Sequence, residues 1–263
     1  DLHTRLDHAR SHSDSLNAKD ESNLLIEVAP LLDDFISKLF CIETEVQALS
    51  AHHHELAPLY FCKRQVVLRK AMNKVSDEDI SKIDGFKLEK QLEIEFKEPF
   101  SELVFATKVI EWLKDEEKNE ELLKAALFYA AWALKTVKGK IRSQEGVLFK
   151  GHPKLDYLRL VPSVIDTTEG YVSHRLDHLR RREGFSLTDQ GTDLVGALDE
   201  ANYCIWCHEQ GKDSCSKGLK VKPKSPDEPK SFKKSQFGVL LAGCPLEERI
   251  SEFHKLKTEG GAI

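Results

Sequence analysis

Several features that would place this chain in a common class are missing from it. No run of about 18 apolar residues occurs, so no membrane-spanning helix is expected. The start shows no charged-then-apolar leader pattern. No Gly-x-Gly-x-x-Gly turn and no Gly-Lys-Ser/Thr phosphate loop is present, which removes the usual cradles for FAD, NAD and nucleotides. No segment repeats with a period of roughly 20–50 residues. No Ser, His and Asp set can be defended from spacing. An initiating Met is also missing: the chain opens on Asp1-Leu2-His3 and reads as a piece excised from something longer.

What is present points to a helical protein. The 263 residues suffice for one sizeable core or two small ones. A hydrophobic share of 40% beside a charged share of 32% fits a soluble, helix-rich chain. The net charge of -5 argues against a general nucleic-acid binder. The expected setting is cytoplasmic, with neither nucleic acid nor membrane as partner. Six cysteines in a Lys/Glu-rich chain, four of them clustered, read as metal ligands in a reducing compartment rather than as disulfides.

The first 188 residues read as a helical bundle, a docking extension of its family. Asp20-Glu21-Ser22-Asn23 supplies helix-starting residue types. Apolar side chains then recur at helical spacing: Leu25, Val28, Leu32, Phe35, Ile36, Leu39, Ile42, Val46 and Leu49. His52-His53-His54 reads as a polar helix junction rather than a metal site. An amphipathic helix is expected over 56–75, with Tyr60, Phe61, Val67, Leu68 and Met72 inward and Lys63, Arg64, Arg69 and Lys70 outward. Cys41 and Cys62 read as small buried hydrophobes. Two helices are expected over 100–118 and 120–138, the second Ala-rich and suited to close packing. Arg180, Arg181 and Arg182 read as the solvated end of a helix rather than as a phosphate site.

Residues 189–263 carry the candidate chemistry. A helix over 189–203 delivers Cys204 and Cys207, a C-x2-C pair; Cys215 and Cys244 follow. Two thiolates at that spacing can face one metal centre from a single turn. Cys244-Pro245 is expected to open a helix ending at Gly260, with Pro245 at its first position, Glu247 and Glu248 in its first turn, and the Cys244 thiolate favoured by the free N–H groups there. Between lie Lys217, Lys220, Lys222, Lys224, Lys230, Lys233 and Lys234 against Asp227 and Glu228, with Pro223, Pro226 and Pro229. This 216–236 stretch reads as an exposed mobile loop, able to dock an acidic redox partner or an anionic surface, or serving only solubility.

Ala201-Asn202-Tyr203-Cys204-Ile205-Trp206-Cys207, then Asp213-Ser214-Cys215-Ser216-Lys217-Gly218, then Gly243-Cys244-Pro245-Leu246 and the run to Gly260 resemble the N-terminal iron–sulfur region of the glutamate synthase small-subunit family, which includes dihydropyrimidine dehydrogenase-like enzymes. The likeness covers about 60 residues. It implies an all-α fold in which a helical bundle precedes a partial helical ferredoxin-like module. That module would bind 4Fe–4S clusters through Cys204, Cys207, Cys215 and Cys244, the first three on one cluster and Cys244 on a second. It implies electron transfer without catalytic residues in this piece, FAD and NAD(P) bound further downstream, and docking on a flavin domain or another subunit. Two other readings stand beside it: a structural zinc module built on the four cysteines, in which His208 can replace one thiolate, and a metal-free helical docking domain.

Overall fold

The computed structural model describes residues 1–151, 155–168, 170–176, 179, 181–189, 191–223, 225 and 231–261. These are mostly helical, with one small two-stranded sheet and no ferredoxin-like module among them. The chain divides into two compact units, residues 1–151 with 194–263, and residues 152–193.

In the first unit, helix α1 (Leu2–Ser11) packs on α2 (Ala18–Leu39). α2 starts at the Asn17 cap, whose Oδ1 accepts from the Lys19 and Asp20 N–H groups. It ends at Phe40, where Cys41 takes a left-handed backbone (φ 55) and turns the chain into α3 (Glu43–Cys62). Cys41 is therefore exposed, not a core thiol. Cys62 is fully buried, and burial pushes its thiol up to about 12.

α3 contains the three histidines without a break and continues as a wide π-type stretch, Lys63–Ala71, closed by α4 (Met72–Lys74). The helical face inferred from 3.6-residue spacing fails here. Lys63 lies inside, while Phe61 is exposed and Met72 partly so. Wider turns advance the phase differently from an α-helix, so a regular wheel misplaces these residues.

The core lies between this long helix and the helices that follow: α5 (Asp77–Ser81), α6 (Gly85–Phe96), α7 (Glu102–Trp112), α8 (Glu120–Lys135) and α9 (Val137–Arg142). α8 buries Ala126, Ala130, Ala131 and Ala133 completely, which lets its neighbours approach closely. Phe96, Phe100, Phe105, Tyr129, Trp132 and Phe149 form a continuous aromatic stack, most pairs tilted or edge-on.

In the second unit, β1 (Ser163–Asp166) pairs antiparallel with β2 (Ser173–Leu176), Ser163 opposite Leu176. None of its described side chains is buried. The helix end expected around the three arginines is thus a strand from Ser173 to Leu176; Asp177, His178 and Arg180 lie outside the described residues.

At the start of α6, a Cβ on Gly85 would run into the face of the Trp132 indole. Gly85→Ala must displace that indole from a full core, so it is expected to lower unfolding free energy by about 1–3 kcal/mol in urea titrations followed by Trp fluorescence. Ser81→Ala, on an exposed turn, should change it by less than about 0.5 kcal/mol.

Candidate functional site

α10 (Leu194–Asn202) ends where the first cysteine pair begins. Trp206, between the two cysteines, has a left-handed backbone (φ 50). A tight helical turn, Cys207–Gln210, follows and closes at Gly211 (φ 69). These reversals point backbone donors at sulfur. The Trp206 N–H donates to Cys204 Sγ (3.4 Å) and the Ser214 N–H to Cys207 Sγ (3.2 Å). The single-turn helix α11 (Ser214–Lys217) carries Cys215. The Cys244 N–H donates to the Cys215 carbonyl (2.8 Å), so the fourth cysteine segment lies beside the third. Burial raises the Cys215 thiol, and negative charge at Cys207 and Cys204 raises it further.

The four cysteine segments are thus neighbours, but their side chains do not converge. Among the described residues, no group of three or more His, Cys, Asp or Glu side chains is positioned to hold a metal ion. Neither a cluster nor a four-coordinate zinc fits this arrangement, and no chemical step is derived through either. Cys244 also misses its expected helix start. Glu247 adopts φ 51 and breaks the helical path, so α12 begins only at Ile250 and runs Ile250–Thr258.

Polar contacts fix the cysteine turn in place. From one side, the Arg64 guanidinium lies 3.9 Å from the Trp206 ring centroid and donates to the Cys204 carbonyl (2.5 Å). Burial lowers its pKa, against the charge of Cys204 and Glu209. Beside it, buried Lys63 pairs with Asp199 of α10 (2.6 Å). From the other side, α12 supplies Ser251, whose hydroxyl meets His208 Nδ1 (2.5 Å) and Cys204 Sγ (3.6 Å). Ser251 is fully buried, so this Cys-Ser-His chain is a packing relay, not a nucleophile. Glu252 accepts a hydrogen bond from Ser22 of α2, and Arg249 pairs with both Glu21 and Asp213. His53 completes the set: its Nε2 meets the Thr258 carbonyl at the end of α12 (2.9 Å).

None of these partners was inferred from the sequence. Glu21 and Arg249, or His53 and Thr258, are more than 200 residues apart, and no local pattern pairs them. The Lys-rich stretch also differs from its expectation. Backbone hydrogen bonds link Val221 to Ser231, Lys233 to Leu219, Leu241 to Lys233 and Ser235 to Val239. Residues 219–221, 231–235 and 239–241 therefore form a small paired element rather than a free loop.

Residues 1–41, essentially α1, α2 and the turn that ends them, match the family model described as the RP005 N-terminal alpha-helical domain. The chain is 31% identical over 266 residues to the uncharacterized protein RP005 of Rickettsia prowazekii (strain Madrid E), over 98% of this chain and 88% of that protein. The chain belongs to the RP005 family. No solved structure matches it. RP005 membership overturns the glutamate synthase resemblance and, with it, the oxidoreductase and iron–sulfur reading. The likeness to RP005 spans nearly the whole chain, the cysteine pattern only about 60 residues, and no oxidoreductase or iron–sulfur family matches. Among the described residues, no helix is long and apolar enough to cross a membrane.

Two substitutions test how the RP005 N-terminal domain is tied to the cysteine turn. Arg249→Met leaves the buried Asp213 carboxylate without its cation; a loss of about 2 kcal/mol is expected, moderated because Arg249 is partly exposed. Hydrogen exchange should rise first across 207–217, before the aromatic core opens. His53 gives a pH signature. Burial holds its imidazole below the ordinary 6.5, with the bond to Thr258 opposing and His54 reinforcing the shift. The unfolded imidazole takes a proton near 6.5 and the folded one resists it. The His53 contribution is therefore intact above that pH and is lost as pH falls toward the folded value. Between about pH 7.5 and 5.5, His53→Gln, which can still donate to Thr258, should lose less Tm than the native chain.

Proposed function

We propose that this chain is a protein-docking module, and that the C-terminal half of α2 is its binding face. The observation that carries this is the exposure of Leu31, Leu32, Phe35, Leu39 and Phe40, at 53–66% each. Helical spacing places Leu31, Leu32, Phe35 and Leu39 on one side of α2. A run of large apolar side chains in water marks an interaction surface. Each would gain about 1.5–3 kcal/mol on full burial. The N-terminal half of α2 holds the cysteine turn through Glu21 and Ser22, which leaves the other half to project its apolar side.

The rim specifies the partner. Glu27 and Asp34 run along one edge of the face and Asp33 lies beyond the other; Glu43 and Glu45 follow the turn, with Lys38 the one cation from 27 to 45. The partner this face fits is a protein surface that is apolar at its centre and basic at its edge. Such a rim steers association and rejects acidic competitors. The cysteine turn is then a structural clasp that orients α2.

Two synthetic amphipathic helices, one Leu/Lys and one Leu/Glu, test this by fluorescence anisotropy. The Leu/Lys peptide is expected to bind at least about tenfold tighter at low salt, with that binding lost in the Leu32→Asp/Phe35→Asp double variant. Equal affinity for both peptides, or unchanged binding by the variant, would overturn the proposal.

A further inference from the structure

The first unit carries a second exposed apolar surface, and its charge is opposite. On the paired element 219–241, Leu219, Val221, Phe237, Val239, Leu240 and Leu241 are 39–64% exposed. Lys217, Lys220, Lys222, Lys233 and Lys234 lie among them. Among the described residues from Lys217 to Leu246 there is no carboxylate. On a chain of net charge -5 this is a concentrated basic patch. Its backbone hydrogen bonds make it a formed surface rather than a loose tail.

Resting on the docking reading above, we infer that the occupant of the acidic α2 face is the basic 219–241 element of a second copy of this chain. Three observations favour it. The two surfaces carry opposite charge, and each has apolar side chains at its centre. A symmetric α2-on-α2 contact would instead set Glu27, Asp33 and Asp34 against their own kind, which is repulsive. The sizes also correspond: the exposed apolar side chains amount to roughly 500 Å² on each surface, a total close to the lower bound of stable specific interfaces. Such a contact is head-to-tail. Every copy offers both surfaces, so association continues into rings or chains rather than stopping at a two-fold dimer. Its electrostatic part weakens with salt.

The experiment uses the full chain, two variants and light scattering coupled to size exclusion. One variant, Leu32→Asp/Phe35→Asp, removes the α2 face; the other, Lys233→Glu/Lys234→Glu, reverses the basic face. All four positions lie on exposed surface, and circular dichroism checks that each variant keeps its helix content. The native chain is expected to gain mass with concentration at low salt and to lose it in about 0.5 M NaCl. Each variant alone is expected to be a monomer. An equimolar mixture should form a 1:1 heterodimer and nothing larger, since each variant keeps the face the other lacks. Association of the lysine variant by itself, or failure of the mixture to combine, would overturn the inference. So would a native chain that stays monomeric at about 100 µM in low salt. If the Leu/Lys peptide still binds in that last case, the docking reading stands and only the second copy is excluded as its occupant.

Discussion

The Arg249 ion pairs are the interaction on which the C-terminal part of the fold depends. One guanidinium joins Glu21 of α2 to Asp213 of the cysteine turn. The burial is uneven: Asp213 is almost fully enclosed, whereas Arg249 and Glu21 are partly exposed. A buried carboxylate needs its cation, so the pair fixes position more than it adds stability. Ser22–Glu252 and Ser251–His208 repeat the arrangement one turn further along α12. Apolar packing around α12 is comparatively loose. Cavities of about 380 Å³ and 310 Å³ flank it, sharing Phe253, Lys257, Gly260 and Gly261 in their walls. With space on both sides, polar links rather than close contact set where this helix sits. The long-range pairs around it are consequently the ones with the most influence on the geometry of α2.

The main core follows a different logic. The aromatic stack and the alanine face of α8 depend on shape, and Gly85 shows how little room remains there. A module with one rigid end and one clasped end can present a helix face without placing that face in its own core. This accounts for how Leu32 and Phe35 remain in water on a folded chain. Their natural cover would be a neighbouring helix, and the turn at Cys41 carries α3 away before it can serve.

Much of the bundle was legible from the sequence. The apolar spacing from Leu25 to Leu39, the alanines of α8 and the fully buried Cys62 all express local rules that the fold obeys. The errors arose where those rules compete with other forces. Lys63 seemed to be a surface residue until the π-type turns brought it inward to Asp199. Cys244-Pro245 has a good helix-start signature, but the left-handed Glu247 postpones the helix to Ile250. His174 looked helical and lies in a strand. The cysteine pattern misled in a more instructive way. Spacing records which thiols are near each other along the chain, and the structure does make those segments neighbours. Ligation requires more, namely side chains that converge on one point, and spacing does not encode that.

The same distinction governs how the exposed faces should be read. A periodic apolar stripe in a sequence states that something covers it, without naming the cover. For Leu31, Leu32, Phe35 and Leu39 the cover does not come from the helices adjacent in sequence, since the chain reverses at Cys41. The acidic rim then restricts what can approach, because bringing its carboxylates against another acidic surface would offset the gain from apolar burial. The basic element at 219–241 satisfies both the apolar and the charge requirement. It cannot be recognised from either half alone. The lysines by themselves read as a solvated run and the apolar residues by themselves as a weak strand. Only the backbone pairing of 219–221 with 231–233, and of 233–235 with 239–241, brings them into one surface whose character mirrors that of α2.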